Sequence, residues 1–337
     1  MKLAALLLVG CGLSCATKAF FPLIPPAPSD RSRGMHRPAN APTILVVMPA
    51  SEHVEGVWKG LRNELSGDFE VFEQRIDEES APELLAEDIR AIKPASVILM
   101  DNATVRLYRA YQNAQPAGTQ FPPAIITMTS FLEDSYHMVR NATGITYEIP
   151  GVTQFVKLRS IINRPVLRVG VVYRAPFAGF MARQKKLAEV EQIEIVGQEV
   201  GRDPRRTEVA TALESLVDNE KIDALWVLND NILLKPRWLA SIWLPKAGKK
   251  CRIPVIVGVE SLLTRIQLGT FAMVPDHAAL AVQTADMVFD LADHGWQIRR
   301  PGIQLPLSIN TIVALERARK QFGLEESALR SIDQTVE

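Results

Sequence analysis

Clusters of polar side chains stand at the ends of short apolar runs, and the chemistry their types allow is hydrogen bonding and charge pairing with a small ligand. Ser51, Glu52 and His53 follow Thr43–Met48; Asp101, Asn102 and Thr104 follow Ser96–Met100; Thr129 and Ser130 follow Ala124–Met128. Further along, Tyr173 and Arg174 lie at the end of Val166–Tyr173, Asn229-Asp230-Asn231 follows Ala224–Leu228, and Glu260 and Ser261 come shortly after Pro254–Val257. Ser51, Asp101, Asn102, Thr129 and Ser130 also stand where helix N-caps are expected, so capping competes with ligand contact for each of them. Asn229-Asp230-Asn231 exceeds what one cap requires. Asp230 can accept hydrogen bonds from a ligand ammonium, and Tyr173 can supply an aromatic wall.

Catalytic and metal chemistry find no comparable support. The histidines (His36, His53, His137, His277 and His294) lack metal-ligand spacing, and no HExxH, glycine-rich phosphate loop or nucleophile elbow is present. No metal, cofactor or catalytic set is therefore expected. Cys251, just before Ile253–Val257, reads as a packed thiol, because nothing nearby in sequence supplies a base to form the thiolate.

The elements that must position these residues alternate between β-rich runs and amphipathic stretches, which is the pattern of βαβ units around parallel sheets. A first series has strands at Thr43–Met48, Phe69–Phe72, Ser96–Met100, Ala124–Met128 and Gly144–Thr146, with helical spacing over Val54–Leu65, Ala81–Ile92 and Thr104–Gln112. After a helix over Val152–Ile162, a second series has strands at Val166–Tyr173, Ile193–Glu199, Ala224–Leu228, Pro254–Val257 and Thr270–Met273. A long helix over Asp276–His294, a strand over Gly302–Ile309 and a helix over Thr311–Gln321 follow. The expected fold is α/β: two doubly wound, Rossmann-like lobes with parallel sheets, joined by a multi-strand hinge. The N-terminal lobe takes 43–148 and a returning helix at 276–295, the C-terminal lobe takes 149–275 and 302–324, and 325–337 is a polar tail. In such a sheet a ligand sits outside the carboxyl ends of the strands.

Residues 1–15 decide the expected compartment. Lys2 followed by Leu3–Val9 has the charge and short apolar core of an export leader, and Leu8-Val9-Gly10-Cys11 is similar to a bacterial lipoprotein cleavage box, with Cys15 as a second candidate. Cys11 is thus the expected lipidation site. Residues 16–42, rich in proline over Phe20–Pro28, read as a semi-extended tether. The chain has 337 residues with 38 Lys plus Arg and 38 Asp plus Glu, so no overall field draws it to nucleic acid.

With these blocks in place the chain resembles, from about Thr43 to Leu324, the substrate-binding proteins of ABC transporters that include tryptophan- and tyrosine-binding members, of the type I periplasmic-binding-protein fold. The likeness is carried by Asn141-Ala142-Thr143-Gly144-Ile145-Thr146 leading through Pro150-Gly151, by Arg168-Val169-Gly170-Val171-Val172-Tyr173, and by Leu228-Asn229-Asp230-Asn231. The resemblance implies that Asn102 to Thr104 and Thr129 to Ser130 present donors to a ligand carboxylate, while Asp230 meets an amino group. Asp101 and Arg174 depart from the family's usual small or amide residues, and both alter the charge a ligand would meet.

The resulting expectation is an exported, lipid-anchored solute-binding protein that captures an amino-acid-like or small organic acid in an interlobe cleft and partners an ABC permease. Its ligand-binding residues would be Ser51, Asn102, Thr104, Thr129, Ser130, Tyr173, Asn229, Asp230 and Glu260. A sensing or scaffolding lipoprotein not coupled to a transporter is the alternative, because Gly12 after Cys11, or Ala16 after Cys15, in place of aspartate, resembles an outer-membrane sorting signal.

Overall fold

The computed structural model describes residues 41–337 except 78 and 300; the leader, Cys11, Cys15 and all but the last two residues of the tether lie outside the described residues. The strand Thr43–Pro49 (β1) is apolar over Ile44–Met48 and buried on both faces, the pattern a central parallel strand requires. It lies between Glu70–Ile76 (β2) and Ser96–Met100 (β3), and the sheet continues through Ala124–Thr129 (β4) and Ala142–Thr146 (β5). Helices Glu55–Leu65 (α1), Pro82–Ile92 (α2) and Asn102–Ala114 (α3) connect these strands, and a short turn of helix, Leu132–Ser135 (α4), follows β4. In α1 the buried residues Val57, Trp58, Leu61 and Leu65 recur at three- and four-residue spacing and turn one stripe to the core.

The chain then crosses to a second sheet through Gly151–Ile161 (α5). That sheet has the order Gln334–Val336 (β13), Ile309–Ala314 (β12), Phe271–Pro275 (β10), Val255–Val257 (β9), Ala224–Val227 (β8), Arg168–Arg174 (β6) and Glu194–Val200 (β7). Ala178–Glu189 (α6), Arg206–Glu214 (α7), the short helices Pro236–Trp238 (α8) and Leu244–Ala247 (α9), and Glu260–Thr264 (α10) connect its parallel strands. His277–Asp293 (α11) returns to the first sheet and packs its apolar face, including Leu280, Ala285 and Val288, against the core around Ile44 and Ile98. The contact with α1 is close. A Cβ on Gly60 would lie 2.7 Å from that of Ala281, so glycine is what lets the two helices approach. Each sheet is covered on both faces, by one pair of apolar clusters in the first lobe and another pair in the second.

The last part of the chain differs from the sequence expectation. Gly302–Ile309 is not one strand: Ile303–Gln304 (β11) pairs with β5 in the first sheet, whereas β12 begins at Ile309 and runs antiparallel to β10. Pro306 has no N–H to give to a ladder, so the segment between them turns and carries the chain from one sheet to the other. The helix expected from Thr311 starts only at Leu315 (Leu315–Arg317, α12), because the β-branched Thr311-Ile312-Val313 pairs with Met273, Ala272 and Phe271. Nor is 325–337 a free tail. Its β13 pairs in parallel with β12, and the Thr311 N–H donates to the Asp333 carboxylate at 2.7 Å.

Cys251 is buried and free, with its thiol pushed above the usual range by burial. Among the described residues no helix is long and apolar enough to cross a membrane, and no group of three or more His, Cys, Asp or Glu side chains is placed to hold a metal ion.

Candidate functional site

The carboxyl ends of both sets of strands face a cavity of about 740 Å³. From the first lobe, Ser51 after β1, Asp101 and Asn102 after β3, Met128 and Ser130 at the end of β4, and Tyr147 after β5 line it. His277, the first residue of α11, completes this wall. The second lobe contributes Asn229 and Asn231 after β8, then Glu260, Ser261 and Arg265 at and beyond α10. A groove of about 830 Å³ adjoins it beside Ser51, Asp101 and Asn231 and reaches Asp77 and Arg106.

A polar chain holds the first wall in place. Ser51 Oγ shares a hydrogen bond with His53 Nδ1 at 2.7 Å, and His53 Nε2 stands 3.3 Å from Asp101 Oδ2. The Asp101 side chain also accepts from Ala103 N and caps α3, with its own backbone at a φ of 90°, a region that favours glycine. Asn102 binds Ser130 in both directions: its Nδ2 donates to the Ser130 carbonyl, and its Oδ1 accepts from the Ser130 N–H at 2.7 Å. This clamp fixes the exit of β4, where the ladder to β5 shifts register between Ile126 and Thr129. Behind it, Phe131 N donates to Glu148 Oε2 at 2.8 Å, while Glu148 Oε1 is enclosed without a partner among the described residues. Burial pushes the Glu148 carboxyl up to about 7.

Tyr147 Oη and His277 Nε2 share a hydrogen bond at 3.0 Å on the cavity wall. Burial raises the tyrosine and lowers the histidine from their ordinary values, which favours the neutral form of both. From the second lobe, Asn229 Nδ2 donates to the Gly258 carbonyl, and its Oδ1 is enclosed without a partner among the described residues. Arg265 Nη1 reaches Glu52 Oε2 at 3.5 Å across the mouth, but the two side chains are 70% and 88% exposed, so the pair adds little to stability.

Of the side chains read from the sequence, Ser51, Asn102, Ser130, Asn229 and Glu260 line this cavity, and four others do not. Thr104 is buried with its hydroxyl donating to the Asp101 carbonyl, and Thr129 is buried with its hydroxyl on the Thr127 carbonyl. Both therefore serve the backbone around them. Tyr173 packs in the core cluster with Phe180 and Trp226 and lies under Gly197, so it is not a wall of the cavity. Asp230 is engaged by Arg174, whose Nε and Nη2 donate to its two carboxylate oxygens at 2.6 and 3.1 Å, and it also accepts from Ile232 N. Its acceptors are directed inside the protein.

Tyr147 and His277 are among the lining residues that sequence reasoning missed, with Met128 and Arg265. The strand-end rule applied to β5 and β10 finds Tyr147 and His277, since each stands within two residues of its strand's last residue. These are also the places where the chain changes lobes.

Solved structures with the same arrangement cover nearly the whole described chain. An ABC domain from Streptococcus pneumoniae, solved in complex with L-Trp, superimposes with a TM-score of 0.59 at 17% identity, covering 87% of this chain and 100% of that one. A conserved domain protein from Vibrio cholerae gives 0.61 at 18% identity, covering 88% and 100%. The fold is that of the type I periplasmic binding proteins. A ligand-free, open substrate-binding protein with adhesive properties from Clostridium difficile shares the periplasmic-binding-protein arrangement at a TM-score of 0.64 and 16% identity, over 88% and 99% of the two chains. No protein-family model and no curated protein matches the sequence.

Proposed function

We propose that the protein is an exported, lipid-anchored solute-binding component of an ABC-type importer, and that it captures a small polar solute between its lobes without transforming it. The cavity at the facing strand ends carries this reading: it is large enough for a small molecule and combines a few apolar side chains with convergent amides, hydroxyls and charges. Export and anchoring rest on Lys2, the apolar Leu3–Val9 and Cys11, with 16–42 as the tether. The expected partner is a permease that accepts the loaded, closed form.

The test is a thermal-shift screen of the purified protein against amino acids, organic acids, amines and sugars. A solute that binds the native state raises the melting temperature by mass action, by an amount that grows with its concentration. A folded protein with no shift from any class overturns solute capture.

A further inference from the structure

The charges around the cavity are unbalanced, and the imbalance has a direction. Among the described residues Glu52, Asp101 and Glu260 line it, against one full cation, Arg265, which already faces Glu52 at the mouth. Arg106 stands in the adjoining groove, not in the cavity. Arg174, the cation closest in sequence to the resemblance-based site, is turned inward: its guanidinium is committed to Asp230 and, through Nη1, to the Arg202 carbonyl. A carboxylate entering the cavity thus meets three others and only a rim arginine to balance its charge.

The acceptors differ in how far the protein has already used them. Asp101 is engaged by His53 and by its cap to Ala103. Asp230 is consumed by Arg174. Glu260, at the first turn of α10, is exposed, and among the described residues its carboxylate has no hydrogen bond or ion pair. It lines the same cavity as Tyr147 and His277, near enough for its charge to bear on both. The Asn229 side-chain oxygen Oδ1 adds an enclosed acceptor that has no donor among the described residues. Buried acceptors normally find donors, so this one adds to the negative character of the wall.

We infer that the cavity takes an organic amine, a solute with a cationic nitrogen and no carboxylate, and that Glu260 meets its charge between Asn229 and the Tyr147–His277 pair. This rests on the solute-capture reading and gives it a chemical class. It also separates the cavity from an α-amino-acid site, because the carboxylate that would hold an α-ammonium, Asp230, is already occupied and, among the described residues lining the cavity, no cation beyond Arg265 at the mouth stands ready to hold the α-carboxylate.

Calorimetric titration with matched probes tests it. One set is tryptamine, L-tryptophan and indole-3-propionate; the other is 1,5-diaminopentane, L-lysine and glutarate. In at least one set the amine should bind about tenfold or more tightly than its zwitterion and its acid, as expected for one unbalanced charge pair worth roughly 1.4 kcal/mol. Glu260→Gln should weaken that amine by about tenfold while leaving the melting temperature of the free protein unchanged, since the side chain makes no contact that folding uses. Tighter or equal binding of a zwitterion or acid overturns the amine class and leaves solute capture standing. An amine that binds Glu260→Gln as well as the wild type overturns the role of Glu260. No heat from any of the six probes, together with no shift in the broader screen, overturns solute capture and the inference with it.

Discussion

Arg174 holds both carboxylate oxygens of Asp230 inside the second lobe, with the arginine 8% and the aspartate 3% exposed, and the guanidinium also lies 5.1 Å over the Phe177 ring. The pair joins the ends of β6 and β8, two hydrogen-bonded neighbours in the sheet. Asp230→Ala leaves a buried guanidinium with only the Arg202 carbonyl and the ring, and should cost about 3 kcal/mol. The double change Arg174→Met with Asp230→Leu, which removes both charges, should recover most of that loss. Urea denaturation of the three proteins measures both effects. A single variant within experimental error of the wild type would show that the pair holds nothing together.

The enclosed Glu148 carboxyl predicts a pH dependence with a definite sign. In the unfolded chain it titrates near 4.5, whereas in the folded protein burial pushes it up to about 7. Between those values the folded state binds more protons. The stability this group contributes is complete below about pH 4.5 and is lost as the pH rises through about 7. His277 acts in the opposite sense, since burial holds it below its ordinary 6.5 and stability is lost as the pH falls below that value. Glu148→Gln isolates the first effect: the difference in melting temperature, variant minus wild type, should grow between pH 5 and pH 8 and then level off. A difference constant with pH would mean that Glu148 does not titrate there.

Much of the fold was legible because the strands are buried on both faces. Runs such as Ser96–Met100 leave no other use for their side chains. The site was legible where a residue simply follows its strand, as with Ser51, Asn229 and Glu260. It was illegible where a distant partner decides. The partner of Asp230 is 56 residues away in sequence, and the nature of Arg174 alone did not say whether it faces solute or aspartate. Thr104 and Thr129 look like ligand donors in sequence, but their hydroxyls turn back to carbonyls two or three residues earlier. The β13 pairing was hidden for a different reason: Gln334-Thr335-Val336 is too short and too polar to show a period, and its place depends on β12.

Gly144 in β5 tests the tightness of the bulged ladder. A Cβ at this position would lie 2.3 Å from the Ile126 carbonyl oxygen, a backbone atom that cannot step aside without breaking the pairing of β4 with β5. Gly144→Ala should therefore destabilise by about 1–3 kcal/mol through overpacking. The measurement is again urea denaturation, and a variant as stable as the wild type would show that the bulge relaxes freely.

The lobes also meet beside the cavity. Phe131 of the first lobe stacks on Phe177 of the second with ring centroids 3.9 Å apart, and Phe180 meets Phe131 edge-on at 5.1 Å. Arg183 of α6 reaches Glu133 and Asp134 nearby, at 3.3 and 2.8 Å, but these ion pairs are exposed and weak. The aromatic stack is therefore the stronger part of the contact. Phe177 is only half-buried and packs against the edge of the second lobe's core, not within it. Phe177→Ala should cost about 1 kcal/mol at most. Its main effect should be on the distance between lobes: the radius of gyration from small-angle scattering should rise in the variant while the circular dichroism stays the same. Unchanged scattering would show that the hinge segments, and not this stack, hold the lobes at their observed separation.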